Sequence, residues 1–238
     1  MKNLVAAILL MALTAASVSC KKEIIGNGPV TTQTRTVSNF TGIDLRMNGM
    51  VYYTNATEKK LEIVAKESIH SILETKVVDN RLVIRYTNGK TYDEDESIRI
   101  NISGPGVNSL ETNSSGSIYC MNAIQPTNLF VRTSGSGNVS LQNVVTGNLE
   151  AESTQSGRVF ATGGSANSEK IKTDGSGKVD LSAVTAKSVT GRIIGSGDIK
   201  VKATDYLDAT IDGSGDIYFS GSPLITTHIN GSGRLIRF

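Results

Sequence analysis

A Ser-Gly step recurs seven times in the second half of this 238-residue chain, and its spacing limits the possible folds more than any other feature. Successive serines are 18 to 21 residues apart, and in five of the seven repeats the Ser is also preceded by Gly. Self-similarity at a period of about 20 residues is typical of a solenoid, in which each repeat forms one coil. The repeated serines are Ser115, Ser136, Ser156, Ser176, Ser196, Ser214 and Ser232.

Each repeat contains the pattern of short β-strands. Apolar residues stand two and four positions after the second Gly, which is the alternation of a half-buried strand. A second strand precedes the corner, and a third, shorter strand is expected near Ala123, Val144 and Val184. The predicted inward pairs after the corner are Ile118/Cys120, Val139/Leu141, Val159/Ala161, Val179/Leu181, Ile199/Val201 and Ile217/Phe219.

Three short strands and three corners in about 20 residues make one coil of a parallel β-helix. Connections between parallel strands are right-handed in the great majority of proteins. We therefore predict an all-β fold, a right-handed single-stranded parallel β-helix (β-solenoid) with about 20 residues per coil and irregular N-terminal coils.

The Gly and Ser residues of the corner have a structural interpretation. Gly tolerates positive φ and allows close approach of neighbouring backbones, and we expect the repeated Ser hydroxyls to form a ladder with neighbouring turns. A nucleophilic Ser needs a general base beside it, and no His lies near any of the seven in the sequence. We therefore predict no catalytic residue in this column.

The first residues have the pattern of an export signal. One Lys is followed by an apolar run from Leu4 through Leu13 and then by small residues up to Cys20. The run is shorter than the roughly 20 residues needed to cross a bilayer, so residues 1–19 are interpreted as a signal peptide. Small residues before Cys20 predict lipoprotein processing with acylation of that Cys, although Ser17 stands where Leu is usual and plain signal cleavage is the alternative.

The remaining sequence is divided as follows. Residues 20–35 are predicted to be the lipidated Cys and a tether, and residues 36–238 a single β-solenoid domain, with irregular N-terminal coils over 36–104 and regular coils over 105–238. Asn48-Gly49 looks like a degenerate corner, and only Glu67 to Thr75 shows a helical turn. With Cys20 acylated, Cys120 is the only thiol left, and it occupies an inward slot, so we expect a buried thiol and no intramolecular disulfide.

The N-terminal and repeat motifs resemble a known family. The run Gly26-Asn27-Gly28-Pro29-Val30, the segment Phe40-Thr41-Gly42-Ile43-Asp44 and the later Gly-Ser-Gly-Asp-Ile series are similar to the head GIN domain family, which is labelled as auto-transporter adhesins. The resemblance covers about residues 26–238. It implies an exported, lipoprotein-like protein of a Gram-negative bacterium on a right-handed β-helix, and it implies no catalytic residue.

Metal and nucleic-acid sites are not indicated. Asp198, Asp212 and Asp216 match the pattern of calcium-binding coils only in part, because the period is not nine residues and Lys178 takes the same slot as Asp198 in another coil. Ca²⁺ needs six to eight oxygen ligands, so we predict no metal and no cofactor. The chain carries 24 basic and 22 acidic residues, a balance that gives no basis for nucleic-acid binding.

The strongest functional candidates are aromatic residues predicted to face outward after the corners. Tyr119, Phe160 and Tyr218 lie among charged neighbours, where aromatic rings on a rigid sheet can stack on sugars or anchor a protein partner. They do not fall on adjacent coils, so scattered surface aromatics are the competing interpretation.

Two functions from different classes follow. The first is a non-enzymatic cell-envelope lipoprotein in the outer membrane, facing the periplasm or the cell surface, that presents a solenoid surface for adhesion or for binding a carbohydrate or protein. The alternative is a carbohydrate-active enzyme of the polysaccharide lyase type, for which Asp180, Lys200 and Lys202 are the nearest acid–base group. Leu235, Ile236 and Phe238 leave the last coil apolar, so a homo-oligomer through the solenoid end is also expected.

Overall fold

The computed structural model describes residues 22–23, 26–87, 90–91 and 98–238. The predicted signal peptide, Cys20 and the first residue of the tether after it lie outside the described residues. In the first half, the strands are β1 (Lys22–Glu23), β2 (Val30–Thr34), β3 (Gly42–Leu45), β4 (Met50–Asn55), β5 (Lys60–Lys66), β6 (Leu73–Val78), β7 (Arg81–Tyr86), β8 (Lys90–Thr91) and β9 (Arg99–Gly104), with a short helix α1 (Glu67–His70).

The second half continues with strands alone within the described residues. They are β10 (Ser109–Thr112), β11 (Ser117–Ile124), β12 (Asn128–Thr133), β13 (Asn138–Gln155), β14 (Arg158–Ala161), β15 (Gly164–Gly175), β16 (Lys178–Gly195), β17 (Asp198–Gly213), β18 (Ile217–Ser220), β19 (Leu224–Gly231) and β20 (Leu235–Arg237). Strand makes up 70% of the structure and helix 2%. The predicted all-β solenoid is confirmed.

The repeats stack in parallel at the register that the Ser-Gly period predicts. Ile118 pairs with Val139, Val139 with Val159, and the column continues through the equivalent residue of each later coil. All residues of the predicted inward pairs are buried. One coil alone cannot cover its inward side chains, so their burial depends on the neighbouring coils.

The corners are tight because successive coils touch through their backbones. A Cβ atom on Gly215 would overlap the carbonyl oxygen of Gly197 one coil below, so only Gly fits there. The Ser ladder, however, is made by backbone amides: the Ser196 N–H donates to the Gly175 carbonyl at 2.8 Å, and Ser214 repeats this to Gly195 at 2.9 Å. The repeated serine side chains are exposed, so the expected ladder of hydroxyls is wrong.

The N-terminal part joins the solenoid but contains antiparallel strands. β3 and β4 pair in parallel with β10 and β11 and so extend the stack. β5, in contrast, pairs antiparallel with both β2 and β9, and β6 pairs antiparallel with β7. Met50 lies opposite Ser117, which places Asn48-Gly49 at the position of a repeat corner, as the sequence predicts.

Two local features depart from the predicted strand pattern. Ala123 is exposed and its neighbour Ile124 is buried, because a register shift between Cys120 and Ala123 moves the third strand by one residue. In the last coil every residue of β19 is exposed. β19 pairs with β17 alone among the described strands, so its inward positions have a neighbour on one side only.

Candidate functional site

The candidate site is the outward surface of the strand that follows each corner, and we call this surface the ladder face. Its central column consists of the residue between the two inward apolar positions. In order along the solenoid the column is Tyr52, Tyr119, Ser140, Phe160, Asp180, Lys200, Tyr218 and Ile236. Neighbouring coils are about 4.8 Å apart, so the column is a straight row parallel to the solenoid axis.

Two tyrosines form a stack at one end of the ladder face. The rings of Tyr52 and Tyr119 have centroids 5.2 Å apart and planes inclined by 16°. The guanidinium of Arg99 lies 5.4 Å from the centroid of Tyr52, close enough for a cation–π interaction. The next residue of the column is the small Ser140, so the side of the Tyr119 ring away from Tyr52 is not covered by another ring.

Phe160 begins a second segment of the ladder face, which is a groove of about 370 Å³. Asp180 lies opposite Phe160 in the next coil, and Lys200 lies opposite Asp180 in the one after. The ammonium of Lys200 is 5.5 Å from the ring centroid of Tyr218. An aromatic ring, a carboxylate and an ammonium therefore follow one another along the axis.

A second column of charges runs beside the central one, directly after the corners. Lys178 contacts Asp198 at 2.7 Å, and Arg234 contacts Asp216 at 2.8 Å. The hydrogen bond from the Arg234 guanidinium holds the pKa of the Asp216 carboxyl below its usual value. The Asp carboxylates of the Gly-Ser-Gly-Asp corners are therefore paired with Lys or Arg side chains. Asp212 likewise forms an ion pair with Arg192, at 3.0 Å.

The structure places the predicted aromatic candidates on one face and adds a residue. Tyr119, Phe160 and Tyr218 are all half-buried in the central column, on coils that are not adjacent. Tyr52 completes an adjacent pair that sequence reasoning missed. The signal was present, because the degenerate corner at Asn48-Gly49 puts Tyr52 in the same slot as Tyr119.

Of the residues of the enzyme alternative, Asp180 and Lys200 lie opposite each other in neighbouring coils, and each also has another partner. Asp180 accepts hydrogen bonds from the amide and the hydroxyl of Ser182, at 3.1 and 2.6 Å. Lys200 lies over the Tyr218 ring, and Lys202 is opposite Thr185. Across the described residues, no group of three or more His, Cys, Asp or Glu side chains is arranged to hold a metal ion.

Cys120 is a buried free thiol in the core. Burial raises the pKa of this thiol to about 11, so the thiolate, which is the reactive form, is scarce at neutral pH. The residue acts as a small hydrophobic side chain, as predicted. Among the described residues, no helix is long and apolar enough to cross a membrane.

Comparison with known proteins gives a family and several similar folds. A family model described as "putative auto-transporter adhesin, head GIN domain" matches residues 39–223. No match was found among curated proteins.

Similar solved structures come from species of Bacteroides and Parabacteroides. A putative adhesin from Bacteroides fragilis is 27% identical, with a TM-score of 0.85, and the match covers 90% of this chain and 100% of that one. A putative lipid binding protein from Parabacteroides distasonis is 24% identical, with a TM-score of 0.75, covering 91% and 100% of the two chains. A putative adhesin from Parabacteroides merdae is 19% identical, with a TM-score of 0.72, covering 91% and 99%.

Proposed function

This chain belongs to the family described as "putative auto-transporter adhesin, head GIN domain", and from that premise we propose that it is a non-enzymatic binding protein of the bacterial cell envelope that holds a carbohydrate chain on its ladder face. A family of adhesins indicates an exported or surface protein. The proposal adds the kind of ligand and the face that binds it.

The observation that carries the proposal is the single column that contains Tyr52, Tyr119, Phe160 and Tyr218. Aromatic rings offer large, rigid apolar area at a small cost in side-chain entropy, and they stack on the apolar faces of sugars. The row runs along the solenoid axis, so one extended polymer can contact several coils at once. A rigid row fits a polymer better than a compact ligand, since contacts repeat at the spacing of the coils.

The location in the envelope is proposed from the sequence. The apolar run from Leu4 through Leu13 and the small residues before Cys20 support export and acylation of that Cys. Several acyl chains give stable anchoring, whereas one chain gives only marginal binding. We therefore propose an outer-membrane lipoprotein that faces the periplasm or the cell surface. Protease treatment of intact cells distinguishes the two, because complete protection would exclude a surface adhesin.

A contact between copies is proposed at the last described coil. Leu224 is 70% exposed and Phe238 60% exposed, and Ile225 and Ile229 beside them are also exposed. The edge of β19 away from β17 has no partner among the described strands and offers backbone N–H and C=O groups for pairing with another strand. Two such edges from two copies would cover each other's apolar residues, which supports a homo-oligomer through this end.

The binding proposal is tested with a panel of immobilised polysaccharides. We expect the purified protein to bind at least one of them, and substitution of both Tyr119 and Phe160 by Ala to weaken that binding at least tenfold. Tyr206→Ala is the control, because Tyr206 is 58% exposed but lies outside the central column of the ladder face, opposite Ser188. Failure to bind any polysaccharide, or equal loss with Tyr206→Ala, would refute the proposal.

A further inference from the structure

The groove at Phe160 is lined by charged side chains of both signs, with basic residues in excess. Its walls carry three basic side chains, Arg158, Lys178 and Lys200, and two acidic ones, Asp180 and Asp198. All five lie on the ladder face around the exposed edge of Phe160. The basic residues therefore outnumber the acidic ones at the place where a ligand would stack.

One acid of the groove is paired with a cation, and the other accepts hydrogen bonds from neutral groups. Asp198 contacts the ammonium of Lys178 at 2.7 Å and also accepts from the Asp216 amide at 3.2 Å. Asp180 accepts two hydrogen bonds from Ser182. Within the part of the chain that the structure describes, Arg158 and Lys200 form no salt bridge with a carboxylate. Asp180 is also without a cationic partner among the described residues, so the groove keeps two unpaired cations, one unpaired carboxylate and a net charge of +1.

On the strands that precede the corners, by contrast, several charged side chains form ion pairs between coils. There Glu150 contacts Lys170 at 2.7 Å, Glu152 contacts Arg132 at 3.6 Å, and Arg192 contacts Asp212 at 3.0 Å. In each of these three pairs a cation and an anion from different coils cancel. Arg158 and Lys200 on the ladder face have no such partner among the described residues.

We propose that the groove binds an anionic glycan, with one sugar stacked on Phe160, its acidic group held by Arg158 and a second acidic group held by Lys200. The inference rests on the proposed carbohydrate-binding function and adds the charge of the ligand. A guanidinium binds a carboxylate or a sulfate through two parallel hydrogen bonds, which makes Arg158 suited to fix the first sugar. Phe160 supplies the apolar contact, so the site takes a sugar with an acidic group in preference to an acidic group alone.

The spacing of the cations defines the repeat of the ligand. Arg158 and Lys200 are two coils apart, or about 10 Å along the axis. This is about the length of a disaccharide, so the groove fits a polymer with an acidic group on every second sugar. The carboxylate of Asp180 lies between the two cations and would repel an acid at the intermediate sugar.

The test compares polymers by calorimetry or affinity electrophoresis. The probes are chondroitin sulfate, desulfated chondroitin, polygalacturonate, neutral dextran and poly-glutamate. We expect chondroitin or its desulfated form to bind at least tenfold more tightly than dextran, with affinity falling as salt rises, since exposed charges are screened. The desulfated polymer separates recognition of a carboxylate from recognition of a sulfate.

Single substitutions then locate the site. Arg158→Gln and Lys200→Gln should each weaken binding about tenfold, and Phe160→Ala at least as much, whereas Phe160→Tyr should retain binding. The control is Lys187→Gln, because Lys187 is exposed on another part of the coil. All these side chains lie on the surface, so unfolding is checked by circular dichroism and is not expected.

Three results would overturn the inference. Equal binding of dextran, unaffected by Arg158→Gln, would leave the carbohydrate proposal in place and refute selection for charge. Binding of poly-glutamate as tight as that of chondroitin would show a site for polyanions without sugar recognition. Binding of none of the glycans would refute both the inference and the proposed function.

Discussion

Glu169 lies in the hydrophobic core of the solenoid, and its removal is the most informative test of the structure. The residue is 2% exposed and stacks between Leu149 below and Val189 above. Neither carboxylate oxygen has a hydrogen-bond partner among the described residues. Burial raises the pKa of this carboxyl from 4.5 to about 8, because an ionised group without a partner is strongly disfavoured in an apolar environment.

The pKa shift sets both the sign and the size of the effect on stability. Well below pH 4.5 the carboxyl of Glu169 is protonated in the folded and the unfolded chain, and its ionisation contributes no penalty. As pH rises toward 8, the unfolded chain loses this proton while the folded chain keeps it, so folded stability falls with pH. At 1.36 kcal/mol per pKa unit, the loss is about 3 kcal/mol at pH 7 and approaches about 5 kcal/mol above pH 8.

Glu169→Leu should therefore stabilise the protein, and more so at high pH. Leu matches Leu149 in the coil below, and we expect the free energy of unfolding to rise by about 3 kcal/mol more at pH 7 than at pH 4.5, where only the cost of burying an uncharged carboxyl without partners is removed. Glu169→Gln should remove the pH dependence but recover less stability, because a buried amide without partners also costs free energy. Denaturant unfolding from pH 4.5 to 9, with hydrogen exchange of the amides in β15, measures both.

Glu58→Gln is the matched control, since Glu58 is exposed. The difference between wild type and control should not vary with pH beyond a few tenths of a kcal/mol, as for other surface changes. Parallel pH profiles of wild type and Glu169→Leu would refute the reasoning. They would mean that the carboxyl of Glu169 is either exposed or paired in solution.

Four further outcomes are expected. Val179→Asp should destabilise by several kcal/mol because it buries an unpaired charge, whereas Asp180→Ala should stay within ~0.5 kcal/mol; similar thermal melts would show the strand register to be wrong by one residue. Cys20→Ala should move the protein from the membrane to the soluble envelope fraction, and absence of fatty-acid label on the wild type would contradict acylation. Ile225→Arg should abolish concentration-dependent association in light scattering, and a strictly monomeric wild type would contradict the proposed contact between copies. Gln155→Gly should stabilise by about 1 kcal/mol, because Gln155 has a φ of 81° and left-handed backbone favours Gly; a less stable variant would show that the Gln side chain contributes at this corner.

The regular coils could be predicted from the sequence because one repeated corner fixes the register of every strand. Once Gly137, Gly157 and Gly177 are aligned, inward and outward positions follow from strand alternation. The N-terminal part has no repeat, and alternation is the same in parallel and antiparallel strands. The strands around Leu61 and Ile63 are therefore recognisable, while the antiparallel pairing of β5 with β2 and β9 is not.

The candidate site was only partly predictable, for reasons that differ between residues. The outward position of Tyr119, Phe160 and Tyr218 follows from the repeat. The contact of Tyr119 with Tyr52 depends on how the irregular first coil joins the stack. Glu169 was missed although the repeat puts it in the inward slot of Leu149, because a charged residue within a strand is usually on the outside.

The coil that contributes Phe160 to the groove also departs from the repeat at several positions. It enters through Gln155 at positive φ, where the next coil has Gly175. Its core contains Ala161 opposite Leu141 of the coil below, and Glu169 in place of an aliphatic residue. Natural proteins break local rules mainly where function requires it.

The position of Glu169 indicates that it does not help to form the groove. Glu169 and Phe160 belong to different strands of the coil, and one side chain points inward while the other points outward. A ligand held by Phe160 and Arg158, as proposed, would bind the folded coil and not the unfolded one, so binding would stabilise the coil that contains the buried Glu169. The folding stability falls as pH rises because of the Glu169 carboxyl. We therefore expect stabilisation by a bound glycan to have its largest effect on the folded fraction at neutral and alkaline pH. The groove coil is therefore the segment whose order is expected to depend most on ligand.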